Sequence, residues 1–345
     1  MDEKGFQVFL SNRNLAEAAI LAHINIVREF EKYLKAKTPA NEIDKAKPND
    51  FDHFIRNLNE ENMTFDNLLS IARYSLFSKN KKLTVHVLEL IDGAEVMKNL
   101  TKNLKQKTSE NTWREVFDNL KLPDLITTSK EKAAFTQKVM ERLEAKLNKT
   151  KIREVLASNL HFVPDEEFLS SKKEFHKSKN IETFLANRHN EYVKELEEHA
   201  KNKTLYYTQE IDSEVVEYVR RNPTCQVGVR EGNIIYVTKI PYQAKKYLHE
   251  KNQKMKRYYA CHCPWVRETI KSDKQISPEF CYCSAGFEKR LWDVIFSQPV
   301  KAEVLQTVLK GDLYCKFAIH IPTEHLTVEK HRKKNTKKPT ATKNP

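Results

Sequence analysis

Glycine is almost missing from the first two thirds of this 345-residue chain. Only Gly5 and Gly93 precede Gly228, after which Gly232, Gly286 and Gly311 follow in short order. Glycine supplies the positive-φ residues of tight turns, so a long stretch without it favours helices over hairpins. The apolar spacing agrees. In "NLAEAAILAHINIVREFEKYLKA", Leu15, Ala18, Ala19, Ala22, Ile26, Phe30, Tyr33 and Leu34 recur at helical intervals. "KPNDFDHFIRNLNEE" adds Phe51, Phe54, Ile55 and Leu58 behind Pro48, with Asn49 or Asp50 as the expected cap. "TFDNLLSIARYSLFSKN" and "KLTVHVLELIDGAEVMKNLTKNL" supply further helices, the second interrupted near Gly93. A compact bundle of about four helices is expected over residues 1–105.

Residues 106–204 continue as separate amphipathic units, among them "EKAAFTQKVMERLEAKLN" and "TKIREVLASNLHFVP". The latter is expected to begin at Lys149 or Thr150 and to end at Pro164. His161, His176, His189 and His199 fall here without a metal-binding spacing, and no chemistry is assigned to them.

Strand signals begin after Leu205. "TCQVGVREGNIIYVTKIP" reads as a hairpin turning at Glu231-Gly232-Asn233, and "VKAEVLQTVLKGDLYCKFAIHIP" as another turning at Lys310-Gly311-Asp312. A helix, "YQAKKYLHEKNQKMKRYY", separates the first hairpin from a cysteine-rich window. The expected fold class is α+β and multi-domain: an all-α N-terminal bundle, a helical middle, and a C-terminal α/β domain over 205–325 with an antiparallel sheet.

Net charge of +13 suggests a polyanion partner until it is located. The segment Lys330–Pro345 alone accounts for +7 and carries no acid, leaving +6 for the body. Residues 326–345 have no apolar periodicity and read as a disordered basic tail. No apolar run approaches the roughly 20 residues that span a bilayer. "MDEKGFQVFLSNRN" lacks the apolar core of an export signal, so a cytoplasmic protein with reduced thiols is expected. Oligomeric state is not legible.

The chemistry concentrates in "YYACHCPWVRETIKSDKQISPEFCYCSAG", which holds four of the six cysteines as two Cys-x-Cys pairs. In extended backbone, residues i and i+2 share a face. Cys261 with Cys263, and Cys281 with Cys283, then present thiols together. Four convergent thiols suit tetrahedral zinc, with His262 and Cys315 in reserve. Buried thiols without metal, a disulfide, and a catalytic thiolate at Cys281 or Cys283 are the competing readings. Glu268 and Glu279 are the carboxylates available as a base for an open metal site. Trp265, Phe287 and Trp292 offer apolar walls for a ligand pocket, and Arg267 a cation within it.

Two resemblances attach to these segments. "IVREFEKYL", "AKPNDFDHFIRNL" and "NLLSIARYSLFSKNKKL" resemble, in order and spacing, the SAM-like core-binding domain of tyrosine recombinases. That resemblance implies DNA contact through Arg73, Lys79, Lys81 and Lys82. The only His-x-x-Arg, His53 to Arg56, lies inside the bundle, so no recombinase catalytic domain is present. "CHCPW", "FCYCSAGF" and "EVLQTVLKGDLYCKFAIHIP" resemble the 4-vinyl reductase domain superfamily, which includes L-2-amino-thiazoline-4-carboxylic acid hydrolase-like proteins. This second resemblance implies a pocket for a small ligand, metal-binding cysteines, and an antiparallel sheet ending in Gly311, Asp312, Cys315 and Phe317. Together they imply a DNA-associated sensor or regulator with a zinc-loaded ligand domain. The alternatives are a thiazoline-carboxylate-type hydrolase using a cysteine or metal, and a metal-stabilised scaffold that does not bind DNA.

Overall fold

The computed structural model describes residues 1–37, 42–59, 61–272 and 274–325. The expected basic tail lies outside the described residues. The bundle comprises α1 (Glu3–Ser11), α2 (Glu17–Lys37), α3 (Pro48–Arg56), α4 (Phe65–Phe77) and α5 (Lys81–Ile91). Helix α2 turns Ile20, Ile24, Val27, Phe30 and Leu34 inward, the i, i+4, i+7 pattern of one buried stripe. Pro48 opens α3, but the cap is Lys47. Asp50 reaches back to accept from the Lys47 N–H at 2.9 Å, so it acts from inside the first turn.

The middle region comprises α6 (Val96–Lys107), α7 (Glu110–Phe117), α8 (Ser129–Lys146), α9 (Lys149–Leu156), α10 (Leu169–Lys177) and α11 (Ile181–Asn202). Helix α9 starts where the sequence indicates but stops at Leu156, well short of Pro164. The intervening segment is held in turns, with Asn159 and Phe162 in the left-handed region. Beyond it come a short hairpin, β1 (Leu205–Tyr206) with β2 (Gln209–Glu210), then α12 (Ser213–Arg221), β3 (Val229–Glu231) and β4 (Ile234–Thr238). The expected single helix before the cysteines is two, α13 (Ala244–His249) and α14 (Gln253–Ala260). Then follow α15 (Tyr282–Phe296), β5 (Ala302–Gln306) and β6 (Lys316–His320). The expected helix in "PWVRETIKSD" is only a 3-10 turn, Arg267–Lys271.

Strands β3-β4-β6-β5 form an antiparallel sheet, with Val237 opposite Phe317 and Ile235 opposite Ile319. These four side chains are buried, as a half-covered sheet with period-2 patterning requires. The mainly helical α+β class therefore stands, with both anticipated hairpins paired.

Apolar packing divides the chain near Gly93. One core draws on residues from Phe6 to Ile91, the other on residues from Val96 to Ile321. The buried residues of α6 belong to the second core, which also unites the helical middle with the sheet. Polar ties cross the divide. Trp265 Nε1 donates to Gly93 O at 2.8 Å, Lys132 Nζ to Leu90 O at 2.9 Å, and Tyr242 Oη to Glu89 at 2.9 Å. Gly93 sits at φ +60, and a Cβ there would press within 3.2 Å of the Trp265 ring nitrogen. Glycine is thus required on two counts at the junction. Among the described residues, no helix is long and apolar enough to cross a membrane.

Candidate active site

The two cores enclose a cavity of roughly 440 Å³. The bundle contributes Phe65, Leu69, Leu88 and Ile91. The second core contributes Ile240 and Trp265, and Tyr242 and the exposed Phe287 line the same side. Apolar walls broken by a few polar groups at a domain junction are the usual setting of a small-molecule site. The polar groups here are Asp92, Glu95, His161, Lys239, His262, Cys263, Cys283, Ser284 and Glu288.

Within this set three side chains form a chain of contacts. Cys283 Sγ meets His161 Nε2 at 3.6 Å, and His161 Nδ1 meets Glu95 Oε1 at 2.9 Å. This is a thiol, an imidazole and an orienting carboxylate in the order that nucleophilic catalysis uses. Cys283 is buried and lies in the first turn of α15, the positive end of the helix dipole. Burial works against the charged form of His161. Contact with Cys283 and Glu95 outweighs it, and the imidazole pKa is raised.

Local structure explains why these residues meet. Glu95 occupies the N-cap position of α6 with its carboxylate turned to His161 and not to the helix, and two asparagines on the same helix hold the loop that carries His161. Asn99 Nδ2 donates to Leu160 O at 2.8 Å and Asn103 Nδ2 to Ser158 O at 2.6 Å. Arg290 Nε, from α15, donates to Val163 O at 3.2 Å. The His161 ring stands edge-on to Phe287, with centroids 5.3 Å apart. Gly286 lets α15 approach so closely that a Cβ there would lie 2.8 Å from the backbone of Ala157.

Cys281 and Cys283 do not face one neighbour together. Cys281 and Cys283 lie at the junction of a 3-10 turn with α15, so their backbone is helical and not extended. Residues two apart on a helix diverge by about 200°. Cys281 Sγ accordingly meets Thr307 Oγ1 at 2.8 Å, while Cys283 faces His161. Cys315 Sγ lies 4.0 Å from the same Thr307 hydroxyl. Cys263 lines the cavity, and Cys261 is buried with its Sγ 4.0 Å from Cys263 O. Among the described residues, no group of three or more His, Cys, Asp or Glu side chains is placed to hold a metal ion. His262 is turned onto Ile240 O at 2.5 Å, and burial followed by the Lys239 charge depresses its pKa to about 3.

Other expected residues sort as follows. Trp265 and Phe287 line the cavity. Arg267 is buried beside it, its guanidinium stacked 4.4 Å from the Tyr242 ring centroid and 3.7 Å from Glu89. Trp292 instead packs in the second core against Phe175, Phe184 and Phe296. Its replacement by alanine is expected to cost about 3–5 kcal/mol in denaturant unfolding, as core aromatics do. Glu279 is bound by Arg153 at 2.7 Å and Glu268 by Tyr258 at 2.8 Å, so neither carboxylate is a free base. In the bundle, Arg73 turns onto His23 and Lys81 pairs with Glu210 at 2.6 Å, while Lys79 and Lys82 are exposed.

His161 is the member of this constellation that sequence patterns pass over. Its partner thiol lies 122 positions away, and only the turn-rich context "ASNLHFVP" set it apart from the helical histidines. No protein-family model, curated protein or solved structure matches this chain.

Proposed function

We propose that the protein is a thiol-dependent hydrolase or acyl transferase acting on a small, largely apolar molecule held between the two cores. The observation that carries this reading is the Cys283–His161–Glu95 relay opening into the cavity. His161 takes the proton from Cys283 Sγ, and the thiolate attacks an electrophilic carbonyl carbon. The tetrahedral adduct collapses by breaking the bond to the leaving group, which takes the proton from His161. A water or second acceptor, deprotonated by His161, then cleaves the thioester and restores the thiol. Glu95 fixes the imidazole orientation throughout. The hydrolase alternative implied by the C-terminal resemblance is supported by this arrangement. Of the basic bundle side chains on which DNA contact in the regulator reading would depend, Arg73 and Lys81 already have intramolecular partners.

The six thiols are expected to react very unequally. Burial pushes Cys225 and Cys261 up to about 12 and raises Cys263, Cys281 and Cys315 as well. A thiol with a pKa near 12 is thiolate in only about one part in 10⁵ at pH 7, and the thiolate is the nucleophile. Time-resolved iodoacetamide labelling with peptide mapping is expected to modify Cys283 first. Earlier labelling of any other cysteine would remove the basis of the proposal. The zinc reading has its own check. Chelator treatment is expected to leave the melting temperature unchanged, and unfolding on chelation would restore a four-thiolate centre.

A further inference from the structure

The cavity holds a second built feature that the relay does not use. Lys239 and Glu288 both line it, with side chains 14% and 6% exposed, and their charged atoms stand 3.6 Å apart. At that separation the charges compensate, and the contact between them is long for a hydrogen bond. Glu288 Oε1 is buried and, among the described residues, accepts no hydrogen bond. Besides Glu288, Lys239 Nζ has, among the described residues, a long contact of 3.5 Å to Ser284 Oγ, and it lies 5.3 Å from the Phe287 ring centroid. A buried acceptor left unmade is costly, so a site of this kind is completed by what enters it.

We infer that Lys239 and Glu288 together read an uncharged amide edge of the substrate, its carbonyl on Lys239 Nζ and its N–H on Glu288 Oε1. This rests on the thiol reading above and names the substrate class for that site: a small carboxamide, lactam or ureide with an apolar body. The charge balance excludes the simpler ligands. An ammonium placed on Glu288 would sit beside the Lys239 cation, and a carboxylate placed on Lys239 would sit beside the Glu288 anion. A neutral group with an acceptor and a donor side by side satisfies both without bringing a new charge into the cavity. Position follows from α15. Glu288 is five residues beyond Cys283, a rise of about 7.5 Å and a turn of about 140° around the axis, and both line the cavity together with Phe287.

Matched chloroacetyl probes test this on the full-length protein. In each, the Cys283 thiolate forms a bond to the methylene carbon and chloride leaves. N-chloroacetylglycinamide carries the carboxamide. N-chloroacetylglycine, N-chloroacetylethylenediamine and N-isobutylchloroacetamide carry a carboxylate, an ammonium and an apolar end. The glycinamide probe is expected to alkylate Cys283 about tenfold faster than each of the others, corrected for their rates with free thiol. In the double variant Lys239→Met/Glu288→Leu, an apolar pair of similar bulk, the ratio of the glycinamide rate to the isobutyl rate is expected to fall to about one, whatever the absolute rates become. Equal rates in the wild-type protein, preference for either charged probe, or a preference that survives the double variant would overturn the inference. The wild-type order decides by itself should the double variant not fold. Slow labelling of Cys283 by all four probes overturns the thiol reading underneath.

Discussion

Replacing His161 with glutamine is expected to slow alkylation of Cys283 at neutral pH by about a hundredfold, the low end of what a positioned base contributes. Glutamine keeps the bulk against Phe287 and hydrogen-bonding capacity toward Glu95, but it cannot take a proton. Cys281, whose partner is Thr307, should keep its wild-type rate, which separates a local effect from unfolding. Glu95→Gln should have a smaller effect, because it leaves the imidazole in place and removes only its orienting charge. The pH dependence of stability carries an independent signature. His161 is raised above its ordinary value of 6.5, so the stabilisation from its protonated form is complete below about pH 6.5. That stabilisation is lost as pH rises through the raised pKa. The stability difference between wild type and His161→Gln should therefore shrink toward alkaline pH, measured by urea unfolding at several pH values. A difference that grows with pH would mean the imidazole is held neutral.

Gly286→Ala is expected to destabilise the protein and to disconnect the relay. Two effects oppose each other. Alanine is the better helix former by about 1 kcal/mol in a helix interior. Against this, the new Cβ would lie 2.8–2.9 Å from the Cα, carbonyl carbon and carbonyl oxygen of Ala157, which as backbone cannot rotate aside. Overpacking of this kind costs about 1–3 kcal/mol, and with unyielding neighbours the upper half of that range applies. The net change is a loss of about 1 kcal/mol or more in denaturant unfolding. Relief comes by separating α15 from the loop that carries His161, so Cys283 labelling should slow even where the variant is folded. A Gly286→Ala protein with wild-type labelling would show that the thiol does not depend on this contact.

Much of the fold was legible because it rests on periodicity and glycine placement. The stripes of α2 and α3 and the hairpins at Gly232 and Gly311 need only local rules. The site was legible only in part. Cys283 was among the expected thiols, and Trp265 and Phe287 among the expected walls, because cysteines and aromatics in one window invite that reading. The assumption that failed was extended backbone at "FCYCSAGF". The helix that starts there sends Cys281 and Cys283 to different neighbours, which dissolves the paired-thiol argument. His161 and Glu95 were out of reach for a different reason. They come from a turn and a helix cap brought to α15 by tertiary packing, through Asn99, Asn103 and Arg290, and no spacing within one segment encodes that. Lys239 and Glu288 likewise become informative only when their burial and separation are known.

The most direct measurement is the reaction of the purified, reduced protein with p-nitrophenyl acetate, followed by release of nitrophenolate and by peptide mapping. The account predicts a burst equal to the protein concentration, with one acetyl group carried as a thioester on Cys283. Slow turnover should follow, and both burst and thioester should be missing from Cys283→Ser. Acetylation spread over surface lysines without a burst, or a burst that persists in Cys283→Ser, would contradict it.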